Sequence, residues 1–309
     1  FDLGIGILFP FAPDDDARDK MMGSVTPVWD GNETWLILGG GGLFALFPKA
    51  YAIALPAFYV PVILLLLSLI FRGVAFEFRG KAKKSRYLWD TAFFVGSLGA
   101  AIAQGFLLGG LLNGITVKDG AFAGGTFDWF NWFSILTAAS VVIGYALLGA
   151  TWTVLKTEGH VHDWARGRAK LLALGMGAAM AAVSVGTVAA HPSVANRWLD
   201  GNNLFYLSPI PVVTTLVFFI LVRSLASREE LMPFLATLGL FLMNAVGLAV
   251  GFYPYIIPDT LTITEAATAR SSMIFVLIAL AVTLPMVLFY TVYAYRVFRG
   301  KVTGAQNYG

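Results

Sequence analysis

Three sets of ionisable residues fall inside or beside long apolar runs, and their chemistry frames the reading of the chain. Asp30, Asn32 and Glu33 lie in TPVWDGNETW, residues 26–35. Carboxylates three residues apart share one face of a helix, and at this spacing they suit two roles. They can form a capping box, with Asp30 accepting an amide proton and Glu33 reaching back. They can also load and pass protons, since an ionisable group near the bilayer centre costs ~2.5–3.5 kcal/mol and is kept for function. The two roles can coexist. Asp2, in FDLGIG at residues 1–6, stands alone in apolar sequence; such a group is protonated or paired with an Arg or an amide, or it relays protons. Arg72, Glu77 and Arg79, in RGVAFEFRGK at residues 72–81, read as a snorkelling interfacial ion cluster, with subunit docking as the sharper alternative.

The remaining donors exclude more than they suggest. With no Cys in the chain, disulfides, iron–sulfur clusters, thiolate haem ligands and cysteine nucleophiles are ruled out. A six-coordinate b-type haem needs His or Met at membrane depth on facing helices. His160 and His162 read as loop residues and His191 precedes Pro192 at a helix end, while Met176, Met180 and Met243 read as packing. No metal site is therefore expected. Gln104 and Asn244 are the main mid-span polar residues and read as interhelical hydrogen-bonding groups. Gly39–Gly42, Gly105, Gly109, Gly110, Gly175 and Gly247 read as points of close helix approach. The four-glycine run is not a phosphate loop, because no Lys-Ser/Thr follows it.

These residues must be positioned by membrane helices. The 309 residues are 58% hydrophobic and 13% charged, with a mean hydropathy of +0.74, which excludes a water-soluble globule. Eight apolar segments of spanning length are expected at Trp29–Phe47, Tyr51–Phe71, Thr91–Leu112, Trp132–Leu155, Leu171–Ala190, Leu204–Val222, Pro233–Phe252 and Met273–Tyr295. Residues 1–11 read as the tail of a truncated first helix, which makes nine. Continuous rather than alternating apolarity favours helices over a barrel. The expected fold is thus an all-α polytopic bundle forming one integral membrane domain over 1–309. Lys and Arg divide 17 to four between alternate connections, the minority being Lys49, Lys118, Arg197 and Arg270. The positive-inside rule then places the C-terminus in the cytoplasm. Basic residues scattered among inner loops do not make a nucleic-acid groove.

Several stretches together resemble subunit II of the cytochrome bd-type quinol oxidases: FDLGIG (1–6), PVWDGNETWLILGGGGLFALFP (27–48), RGVAFEFRGK (72–81), YPYIIP (253–258) and TITEAA (262–267). The resemblance runs over essentially the whole chain after the first helix. Its short loops resemble the compact, cyanide-insensitive branch. The resemblance implies a heterodimer in the bacterial cytoplasmic (inner) membrane. A partner, subunit I, carries two b-type haems, haem d and the quinol-oxidising loop, and this chain carries no haem. Quinol oxidation is coupled to reduction of oxygen to water, with protons drawn from inside. It further implies a cytoplasmic proton path through Asp30, with Asp2 and Glu33 as candidates to assist. In some relatives an oxygen tunnel opens beside the residue matching Trp35, and a structural quinone or lipid is kept on this subunit. Membrane lipids and small single-helix subunits complete the expected partners. Glu33 departs from the pattern, some relatives having an uncharged residue there. The alternative from another class is a secondary transporter with a midplane substrate site.

Overall fold

The computed structural model describes residues 1–82 and 84–302 and is almost entirely helical. Lys83, one of the basic residues counted above, lies outside the described residues. A short apolar helix, α1 (Asp2–Leu8), turns through Phe9–Phe11 into α2 (Asp15–Val25). Then come α3 (Trp29–Leu46), α4 (Pro48–Ala57), α5 (Tyr59–Arg79) and α6 (Arg86–Asn113). A small hairpin, β1 (Val117–Lys118) and β2 (Ala121–Phe122), leads into α7 (Trp132–Lys156) and α8 (Gly159–Ala190). The chain continues through α9 (Pro192–Leu199), α10 (Gly201–Leu207), α11 (Pro209–Ala226) and α12 (Leu231–Phe252). A second antiparallel hairpin, β3 (Tyr255–Ile257) and β4 (Leu261–Thr262), precedes α13 (Ile263–Ala266) and α14 (Arg270–Val297).

Seven stretches are long and apolar enough to cross a membrane: α5, α6, α7, α8, Gly201–Ala226, α12 and α14. The expected tail of the first helix corresponds to the short α1, and the expected second span to α3. The 18 residues of α3 span about 27 Å at ~1.5 Å per residue, its polar first turns lowering its mean apolarity. Contacts sort the connections into two ends. Arg79 and Arg86 both pair with Asp19, His160 meets Asp14, Lys301 meets Glu230, and the Val302 amide bonds Lys156 O. This is the basic end. At the opposite end Thr268 N bonds Leu46 O, and Ala50, Ile53, Ile115, Ile257 and Ala266 share one apolar cluster.

Two expected boundaries are corrected. The span expected at Leu171–Ala190 begins already at Gly159, so His160 and His162 are helical rather than loop residues. The span expected at Tyr51–Phe71 is divided at Phe58, whose φ of −120° and ψ of 20° interrupt the helix, and α5 continues to Arg79. Arg72 does not end the span, because carboxylates from two other helices meet its charge inside the bundle.

Glycine usage explains how α1 is held. A Cβ at Gly4 would lie 1.7 Å from Tyr145 O, and one at Gly6 would lie 1.9 Å from Ser97 Oγ. Only glycine lets α1 touch α6 and α7 backbone to backbone. Gly105 and Gly109 do the same between α6 and α7, against Ala138 Cα and Ser134 Cα. Gly39–Gly42 do not, since nothing lies within 4 Å of a Cβ at any of them. The expectation of close helix approach within this chain is corrected for that run. Both α3 and α14 contain no buried residue.

Candidate functional site

The apolar bundle is broken by a buried polar cluster, assembled from α1, α3, α5 and α14. Its centre is Arg72, whose side chain is 0% exposed. Nη2 lies 3.1 Å from Asp2 Oδ2, and Nη1 donates to Glu33 Oε1. Asp2 Oδ1 accepts from the Leu3 amide at 2.8 Å and Oδ2 from Asn32 Nδ2 at 3.3 Å. The Tyr295 hydroxyl donates to Asn32 Oδ1 at 2.9 Å, adding α14 to the network. Trp29 stacks on Phe76 with ring centroids 4.7 Å apart, and the guanidinium lies 5.7 Å and 5.2 Å from these two rings. Aromatic faces of this kind hold a planar cation in place and exclude water from one side of it.

A cavity of about 170 Å³ adjoins the cluster, lined by Asp2, Asn32, Glu33, Arg72, Gln104 and Tyr145 together with apolar side chains. Asp30 is exposed, one helical turn before Glu33 on α3. It caps nothing: the N-cap is Val28, with no side-chain cap bond, so the capping-box expectation is corrected. Trp35 is half-buried on α3 and does not line this cavity.

The expected cluster of Arg72, Glu77 and Arg79 does not assemble. On a helix Glu77 faces away from both arginines; it is exposed and meets Lys81 at 3.7 Å. Arg79 turns inward to Asp90 and, at 2.7 Å, to Asp19, with Phe9 5.0 Å beneath it. The arginine partner expected for Asp2 and the interhelical bond expected for Gln104 are both present, but the sequence did not single out Arg72 and Tyr145 as the groups that supply them, nor Tyr295. A phenol in mid-span is the one signal that would have pointed to Tyr145. Asn244 bonds Leu240 O on its own helix, so its expected interhelical bond is absent.

The histidines lie away from this cluster, and buried His191 Nε2 has no partner among the described residues. His162 Nδ1 lies 2.9 Å from Val154 O, and His191 is buried at the end of α8 against Phe252. Asp14, Asp16 and His160 bring ligand atoms within 4.8 Å of one another at the exposed basic end. Asp14 is already engaged by the Ala17 amide and by His160, which hold its carboxyl below the usual range, and Asp16 pairs with Lys20. A second, apolar cavity of about 680 Å³ opens among α8, α9, α11 and α12, with Met180, Trp198 and Asn244 on its wall.

The sequence model of the family described as cytochrome bd terminal oxidase subunit II matches residues 1–298. The chain belongs to that family. Cytochrome bd-I ubiquinol oxidase subunit 2 of Escherichia coli strain K12 is 29% identical, over 98% of this chain and 90% of the relative. Cytochrome bd ubiquinol oxidase subunit 2 of Bacillus subtilis strain 168 is also 29% identical, over 98% of this chain and 91% of its own. A chain of the bd oxidase from Geobacillus thermodenitrificans has the same fold, with a TM-score of 0.73 at 18% identity, covering 96% of this chain and 92% of that one. The resemblance read from the WDGNE block and the all-helical, multi-pass architecture both stand. The chain is a membrane subunit of an oxidoreductase of the bd type.

Proposed function

We propose that this chain is the haem-free subunit II of a bacterial bd-type quinol oxidase. In this reading it forms one integral domain of the inner membrane, with the basic end and the C-terminus in the cytoplasm. A haem-bearing subunit I oxidises quinol and reduces oxygen beside it. The haems fit poorly on this chain, because His160 and His162 stand at the basic end, His191 at the other, and none faces a second imidazole or thioether in mid-span. No redox step is derived for it.

What its residues would do is move protons. The observation that carries the reading is the run from exposed Asp30, through Glu33, to the Asp2–Arg72 pair inside the bundle. Ionisable groups so placed are costly, and an apolar alternative would pack as well. Asp30 would collect protons at the mouth and Glu33 would receive them one turn further in. Arg72 would hold charge at Asp2 and Glu33 without closing the adjoining cavity. Docking of subunit I on α3 and α14 is supported by their lack of buried residues and by the open Gly39–Gly42 face, which would admit a neighbouring helix closely. An oxygen tunnel beside Trp35 would use the same apolar face. The 680 Å³ cavity would suit the tail of a structural quinone or a lipid. Its apolar walls give a secondary transporter no convergent polar site.

Replacing Asp30 with Asn in the intact two-subunit oxidase tests the proton role. Turnover with quinol should fall about tenfold, or ~1.4 kcal/mol, while b- and d-type haem absorption is retained. Wild-type turnover would remove Asp30 from the path, and parallel loss of haem and activity would make the chain a scaffold.

A further inference from the structure

The cavity beside Arg72 reaches deeper than the carboxylates that open it. Arg72 lies in the last third of α5, near the basic end, whereas Tyr145 lies at the middle of α7 and Gln104 lies beyond the midpoint of α6. These two residues are the polar part of its far wall, and the rest is Phe1, Leu3, Leu36 and Leu69. The Tyr145 hydroxyl donates to Gln104 Oε1. Its ring stacks on Phe241 at 5.8 Å and 16°, and its backbone carbonyl is pressed against Gly4. The phenol is thus fixed at both ends. Leu36, 42% exposed, carries the cavity to the surface of α3, where no described residue lies within 4 Å of a Cβ at Gly39–Gly42.

A volume of about 170 Å³ corresponds to roughly five waters at ~30 Å³ each. Among the described residues, buried Arg72 Nε has no hydrogen-bond partner and Nη2 has only its ion contact with Asp2. Both atoms are sealed from contact with water, so water in the cavity would be held instead by Asn32, Glu33, Gln104 and Tyr145 on its wall, and this polar lining ends at a phenol. A hydroxyl both donates and accepts. Once its bond to Gln104 Oε1 is released, it can accept a proton from one cavity water while giving its own to a second, and so pass charge without ionising.

We propose that Tyr145, oriented by Gln104, is the mid-bundle terminus of the proton route in this chain, handing protons from the Asp2–Glu33–Arg72 cluster towards the open face of α3. This rests on the proton-path reading above. The competing role is a packing contact between α6 and α7.

The test uses the intact oxidase carrying Tyr145→Phe, Gln104→Leu or, as reference, Asp30→Asn. Turnover with quinol is measured across pH in H₂O and D₂O, together with haem content. Tyr145→Phe should lower turnover several-fold, raise the solvent isotope effect and leave the haems in place, with Gln104→Leu showing a smaller change of the same kind. Wild-type turnover and isotope effect in Tyr145→Phe, with Asp30→Asn impaired, would overturn this inference alone. Wild-type behaviour in both would remove the proton-path reading with it. Haem lost in proportion to activity in both the Tyr145 and Gln104 variants would make the pair a packing contact and overturn the proposal.

Discussion

Arg72 decides whether two carboxylates can stay inside the bundle. Its guanidinium forks to Asp2 and Glu33 while its plane rests near Trp29 and Phe76. Removing one partner of a buried ion pair costs roughly 3–5 kcal/mol. Arg72→Met should therefore lower the thermal stability of the complex by that order, read as earlier loss of the haem spectrum on heating. Arg72→Lys should fall between, because a point ammonium cannot serve both carboxylates with a rigid fork. The acidic members of the site were legible in sequence, since Asp2, Asp30 and Glu33 interrupt apolar runs. Their cation was not. A charged residue after LLLLSLIF reads as the end of a span, and only contacts from residues 39 and 70 positions away turn it inward. Tyr295 is 263 positions from Asn32 and carries no local signal.

Among the helices, glycines fall into those pressed against a neighbouring helix of the chain and those that face open space. Gly4→Ala places a methyl group against the Tyr145 carbonyl and the Gly149 amide, neither of which can move aside. Overpacking of this kind costs ~1–3 kcal/mol, so the fraction of folded subunit recovered should fall. Gly40→Ala meets nothing within 4 Å in the chain. It should leave the isolated subunit at least as stable and weaken only its retention of subunit I, as co-purification from detergent would show. Sequence could not make this distinction, because glycine runs look alike whichever surface they face.

The end of the chain supplies a pH-dependent contact. Lys301 pairs with Glu230 at 2.8 Å and holds its carboxyl below the usual glutamate range, and the Val302 amide bonds Lys156 O. A depressed carboxyl stabilises the contact above its ordinary value and loses that contribution as pH falls through the lowered one. Hydrogen exchange at the Val302 amide should accordingly speed up, beyond its intrinsic pH trend, on acidification below about pH 4.5. Unchanged protection would show that Glu230 does not hold the tail.

For the molecule as a whole, the helical, multi-pass character was the most legible feature, because the bilayer imposes length on helices. The basic connections do gather at one end, apart from Arg72, and the four remaining basic residues lie in the segments of the other. Apolarity alone could not reveal which passes pack within the chain and which, like α3 and α14, bury no residue in it. The central claim is that this face and the polar cluster behind it deliver protons to subunit I from the basic end. The most direct measurement is proton uptake during oxygen reduction, recorded by a pH indicator in vesicles with the basic end facing the dye. The wild-type oxidase should take up protons in step with oxygen consumption, and Asp30→Asn and Glu33→Gln should slow that uptake while electron transfer into the haems proceeds normally. Uptake at the wild-type rate in both variants would contradict the account.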